Sequence, residues 1–153
     1  MKRLSAMVIF ALWLTACTES AQQTATSSLD DFKGQWLLVN YWAQWCKPCI
    51  QEIPELNRIN DEFSEVSVLG VNFDGITGDE LATQIRALGV EFPILAQDPA
   101  AELGISRPQV LPTTLVLDPS GELVQTLIGP QTLSSLAAAT GQSPADDTAS
   151  EHE

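Results

Sequence analysis

The chain has 153 residues, 44% of them hydrophobic, with 7 Lys+Arg against 20 Asp+Glu and a net charge of −13. That length suggests one domain large enough to bury a core. So acidic a chain is a poor candidate for nucleic acid or anionic lipid headgroups; its charge serves solubility, or steers basic partners.

Lys2 and Arg3 precede an apolar run, Leu4 to Leu14, that is too short to span a bilayer as a mature helix, and Leu14-Thr15-Ala16-Cys17 closes it. Residues 1–16 read as a leader. The closing tetrapeptide resembles the bacterial lipobox, which implies cleavage before Cys17 and lipidation of that cysteine as a membrane anchor. An ordinary signal peptide with a chance cysteine is the alternative. Lipidation would leave an even, adjacent pair from three cysteines, where a leftover thiol would invite wrong pairing in an exported protein. Thr18, in place of Asp, points by the same resemblance to the outer membrane. Loss of Lys2 and Arg3 takes the net charge to −15. Residues 17–28 lack large apolar side chains and read as a flexible tether, and Leu29 to Gly34 leads into the first core strand.

Leu37 to Trp42 is an apolar run that predicts a strand buried on both faces, and it leads into Cys46-Lys47-Pro48-Cys49. Ile50, Ile53, Leu56, Ile59 and Phe63 follow at helical spacing, with Lys47, Gln51, Glu52, Glu55, Arg58, Asp61 and Glu62 on the other sides and Pro54 inside. Cys46 therefore sits at a helix N-terminus, where free N–H groups and the helix dipole favour a thiolate. Cys49, one turn on, is placed to attack a mixed disulfide formed at Cys46. A zinc half-site is the competing reading, but Cys17 and His152 in the terminal segments are the remaining Cys and His ligands, and no metal is expected.

The block Trp42-Ala43-Gln44-Trp45-Cys46-Lys47-Pro48-Cys49 resembles the thioredoxin superfamily. That resemblance implies an α/β thioredoxin fold, a central mixed sheet flanked by helices, over residues 29–141. It also implies thiol-disulfide exchange with Cys46 as nucleophile and Cys49 as resolving thiol, without a cofactor. Trp45 is expected beside the cysteines as docking surface together with Lys47 and Pro48, and Trp42 in the core. The Lys47 charge should lower the Cys46 pKa and disfavour the disulfide.

Val66 to Phe73 predicts the next strand and completes a βαβ unit. Thr77-Gly78-Asp79-Glu80 has the form of a capping box for a helix carrying Leu81, Ile85 and Leu88 and ending at Gly89. Phe92 to Leu95 is a short apolar run, and Asp98-Pro99 opens a brief second helix stopped by Gly104. Two small helices here resemble the insert of the TlpA-like (ResA-like) branch, bacterial membrane-anchored thiol-disulfide proteins. By that analogy Pro112, in Leu111-Pro112-Thr113-Thr114, is a cis-proline facing the cysteines, and the Leu111 backbone pairs with a partner's extended chain. A trans-proline at a strand start is the alternative.

Thr113 to Leu117 and Leu123 to Ile128 flank Asp118-Pro119-Ser120-Gly121 and predict an antiparallel hairpin. Thr132 caps a last helix ending at Gly141, and residues 142–153 read as a disordered acidic tail that contains His152. Thioredoxins of the cytoplasm have a buried Asp where this chain has Asn40, which cannot titrate. Asp74 is the candidate proton acceptor by analogy with TlpA-like relatives, against an exposed turn residue as the alternative, with water then handling the Cys49 proton. The implied partners are disulfide- or dithiol-containing envelope proteins and a membrane electron donor of the DsbD/CcdA type. A thiol oxidase, or a non-enzymatic partner- or Cu(I)-binding module for oxidase or cytochrome assembly, are the competing functions.

Overall fold

A computed structural model describes residues 29–143. Cys17, the leader, the tether and nearly all of the acidic tail lie outside the described residues. A single 3₁₀ turn, Leu29–Phe32, opens the described chain, with Leu29 buried against the sheet. The elements that follow are β1 (Trp36–Trp42), α1 (Lys47–Glu62), β2 (Val66–Asn72), α2 (Gly78–Leu88), β3 (Thr113–Leu117), β4 (Leu123–Ile128) and α3 (Leu133–Ala139). The sheet runs β2-β1-β3-β4, with β1 and β2 parallel and the other two pairings antiparallel.

β1 is central and buried on both faces, as its unbroken apolar run requires. Its even-numbered side chains and its odd-numbered ones enter different cores. Leu38 and Trp42 join the cluster under α1 and α3, with Ile53, Leu56, Ile59 and Leu136. Leu37, Val39 and Tyr41 join the opposite cluster with Leu69, Leu95, Leu115 and Leu117. Gly70, beside Asn40 in the β1–β2 register, is a close-approach glycine: a Cβ there would lie 2.5 Å from Ile94 Cδ1 and 2.9 Å from the Trp42 Nε1. Its missing side chain leaves room for the Trp42 indole in the core.

Two local expectations change. Asp98-Pro99 starts no helix; residues 99–104 form successive turns, with Leu103 N–H bonded to Pro99 O and Ile105 N–H to Ala100 O. With Gly104 closing it after one turn, the segment cannot offset the cost of helix nucleation, though the Asp98 carboxylate does cap it by accepting from Ala100 N–H. The insert thus contributes one helix, α2. Thr77 is the N-cap of α2 but makes no side-chain cap bond; Gly78 follows in the left-handed region (φ 63°), which departs from the geometry of a capping box. Thr132, by contrast, caps α3 with a reciprocal bond pair to Ser135. The short apolar run Phe92 to Leu95 makes a single parallel bridge, Gly70 to Ile94, at the β2 edge.

Among the described residues no helix is long and apolar enough to cross a membrane.

Candidate active site

β1 ends at Trp42 and three residues carry the chain to Cys46, which is the N-cap residue of α1. Its backbone is extended and its Sγ accepts the Cys49 N–H at 3.3 Å. A sulfur that already receives a helix N-terminal amide is placed where negative charge is stabilised once the bond to its neighbour opens. Cys46 and Cys49 are disulfide-bonded, with Cα atoms 5.3 Å apart, and they are only 4% and 1% exposed. Pro48, within the first turn of α1, lacks an N–H where none would be satisfied anyway. Lys47 points to solvent.

Register brings the second wall to the same end of the sheet. Tyr41 pairs with Thr113, so the segment just before β3 lies beside the end of β1 from which the cysteine loop departs. The Leu111–Pro112 peptide bond there is cis. Pro112 is buried, its carbonyl accepts the Gly129 N–H at 2.9 Å, and Thr113 Oγ1 donates to Val110 O at 2.7 Å. Val110 is 54% exposed, and Leu111 is half-buried between it and the core.

Trp42 and Trp45 separate as their positions on either side of the strand end require. Trp42 is fully buried and Trp45 is 66% exposed. The Trp45 indole does not swing freely: Nε1 donates to both Asp74 carboxylate oxygens at 3.0 and 3.2 Å, and its ring meets Phe73 edge-on with centroids 6.4 Å apart. Asp74 is exposed, and its carboxylate is occupied by Trp45.

The acid inside the fold is Glu52, a residue that helical periodicity assigns to the outer face. It is 1% exposed. It lies three residues after Cys49, hence on the same side of α1, with the Cβ atoms of such a pair about 5–6 Å apart. Its Oε1 accepts the Asn40 Nδ2 at 2.7 Å and its Oε2 the Gln131 N–H at 2.9 Å. Asn40 also donates to Thr114 Oγ1 at 3.0 Å, and its own Oδ1 is buried without a partner. Burial pushes the Glu52 carboxyl up to about 7, against the pull of the Gln131 N–H and the Asn40 amide. A legible signal existed, since i+3 from Cys49 and i−1 from Ile53 both place position 52 at the border of the buried stripe. Reading it also required knowing that Asn40 and Gln131 would wait there as donors.

Among the described residues no group of three or more His, Cys, Asp or Glu side chains is arranged to hold a metal ion.

Comparison with known proteins agrees with this architecture. The chain is 35% identical over 111 residues to the thioredoxin-like protein YneN of Bacillus subtilis, covering 69% of this chain and 64% of that one. It is 30% identical over 105 residues to the thiol-disulfide oxidoreductase ResA of Bacillus thuringiensis, covering 68% and 61%. It thus spans somewhat under two thirds of the length of these relatives. The crystal structure of StoA from Bacillus subtilis superposes with a TM-score of 0.58 at 28% identity, over 71% of this chain and 84% of that one. The fold is thioredoxin-like, and residues 13–126 match the AhpC/TSA family, to which this chain belongs.

Proposed function

We propose that this protein is a thiol-disulfide oxidoreductase that reduces disulfides of envelope proteins through the Cys46/Cys49 pair. The observation that carries the reading is the placement of both cysteines on the first turn of α1, with Cys46 as N-cap sulfur and Cys49 buried above Glu52. The name carried by ResA, thiol-disulfide oxidoreductase, is consistent with it.

In the reduced state the Cys46 thiolate attacks one sulfur of a partner disulfide. A Cys46–partner bond forms, and the partner's other sulfur leaves as a thiolate that takes a proton from water. Glu52, as carboxylate, then accepts the Cys49 proton, directly or through one water, and Cys49 attacks Cys46 Sγ. The Cys46–Cys49 bond closes, and the partner's second sulfur departs as a thiolate that takes a proton from water. Two electrons have passed to the partner, and the oxidised pair requires a dithiol donor, here a membrane donor of the DsbD/CcdA type. Glu52 replaces Asp74 in this scheme because a base for a buried thiol must itself be buried and poised near neutrality. Trp45, Lys47, Pro48 and the Leu111 backbone beside Pro112 form the surface on which the partner's chain is laid, Leu111 by strand addition.

The lipobox-like Leu14-Thr15-Ala16-Cys17 supports export of the domain on a lipid anchor, with residues 17–28 as its tether.

The test is the reduction potential of the pair, measured against glutathione and dithiothreitol buffers on the fragment from Glu19. A value near about −270 mV supports a reductant, whereas one near about −120 mV makes the protein an oxidant of exported thiols. Absence of exchange would leave a binding module.

A further inference from the structure

Trp45 is held by a chain of contacts that starts in the loop on the cis-proline side of the site. Arg107 belongs to the segment leading to Val110, Leu111 and cis-Pro112, yet its side chain reaches across to the Trp45 side. Its Nη2 donates to Phe73 O at 2.6 Å, and its guanidinium carbon lies 4.0 Å from the centre of the Phe73 ring, a cation–π contact. Phe73 carries Trp45 on its edge and anchors itself by donating its N–H to Trp42 O at 2.8 Å.

The guanidinium is itself fixed. Its Nε donates to Asp98 Oδ2 at 2.6 Å, and Asp98 Oδ1 accepts the hydroxyl of the fully buried Tyr41 at 2.7 Å and the Ala100 N–H at 3.0 Å. Tyr41 is in β1, so the strut is bolted to the strand that carries the cysteines. One planar cation thus spans a carboxylate, a carbonyl and a ring face, a combination that neither lysine nor an amide can reproduce.

We propose that Arg107 is a positioning residue that fixes the two sides of the site relative to one another, Trp45–Phe73 on one and Val110–Leu111–Pro112 on the other. A polypeptide must rest on both sides whereas a small disulfide need only reach Cys46, so Arg107 favours polypeptide disulfides over small ones. The inference rests on the exchange activity proposed above, deepens it, and assigns Arg107 no contact with the reacting sulfurs.

The test uses Arg107→Gln and Arg107→Lys in the full chain, with thermal midpoints recorded for each. Turnover is measured with insulin as a polypeptide disulfide, dithiothreitol supplying electrons, and the small-disulfide rate is the single-turnover reduction of 5,5′-dithiobis(2-nitrobenzoate) by the pre-reduced protein freed of dithiothreitol. For both variants KM for insulin should rise about tenfold, the scale of one lost anchoring contact, with kcat and the small-disulfide rate within about twofold of the parent. In a Trp45→Ala background Arg107→Gln should add little, since its effect runs through Trp45. Equal losses on both substrates, full rescue by lysine, or additive effects in the double variant would overturn the assignment. The Trp45 indole N–H resonance separates this inference from the activity itself. Arg107→Gln should shift it and speed its exchange even if the parent reduces no insulin, and an unmoved resonance overturns the strut.

Discussion

Replacing Glu52 by Gln should reverse its effect on stability between pH 4.5 and pH 8. The carboxyl rises from an ordinary 4.5 to about 7 on folding, chiefly through burial. Below pH 4.5 it is neutral in folded and unfolded chains alike. As pH rises through the window from 4.5 to 7, the unfolded chain gives up this proton while the folded chain keeps it, so the stability present at low pH is progressively lost. The raised carboxyl costs about 3 kcal/mol by pH 8, at 1.36 kcal/mol per pH unit of displacement. Gln at position 52 does not titrate. It can still accept one bond, from Asn40 or Gln131, and loses the other for about 1–3 kcal/mol. Glu52→Gln should therefore be the less stable protein at pH 4.5 and equal to or more stable than the parent at pH 8. Urea unfolding of the disulfide form of both proteins at half-unit intervals of pH measures this directly. Parallel stability curves between pH 5 and pH 7.5 would refute the claim that Glu52 is a buried acid titrating near neutrality.

The same variant should slow the resolving step, so that the mixed disulfide accumulates and the pH dependence near 7 disappears from single-turnover kinetics. Cys46→Ser should abolish exchange, and Cys49→Ser should trap a partner in a mixed disulfide visible on a non-reducing gel; turnover retained by the Cys46 variant would end the proposed mechanism. Gly70→Ala forces a methyl against Ile94 and the Trp42 indole and should cost about 1–3 kcal/mol in urea unfolding without changing the reduction potential. Tyr41→Phe removes the hydroxyl that donates to Asp98 and should cost about 1 kcal/mol. Asp98 is pushed up by partial burial, but the bonds from Ala100, Tyr41 and Arg107 and the Arg107 charge outweigh this and hold it below the usual Asp value. Its contribution is present above the ordinary Asp pKa and is lost as pH falls through the depressed one, so Asp98→Asn should flatten the acid limb of the stability curve.

What the sequence determined by itself was most of what depends on neighbours along the chain. β1 and the hairpin strands followed from unbroken apolar runs and a Pro/Gly turn; α1 followed from periodicity; and Cys46 at the head of α1 followed from a strand running into a helix. The sequence pattern also separated buried Trp42 from exposed Trp45. The failures were of another kind. Asp98-Pro99 has the local form of a helix start, and its carboxylate does cap the turn while also holding Tyr41 and Arg107, but a single turn ending in Gly104 cannot offset nucleation. Glu52 is charged and follows Gln51 at the border of the apolar stripe, so a one-dimensional reading turns it outward. Only the packing of α1 across β1, with the Asn40 amide and the Gln131 backbone meeting over 12 and 79 residues of chain, supplies the donors that let an acid stay inside. Whether a polar side chain is buried is decided by partners distant in sequence, and those partners are brought together by the fold.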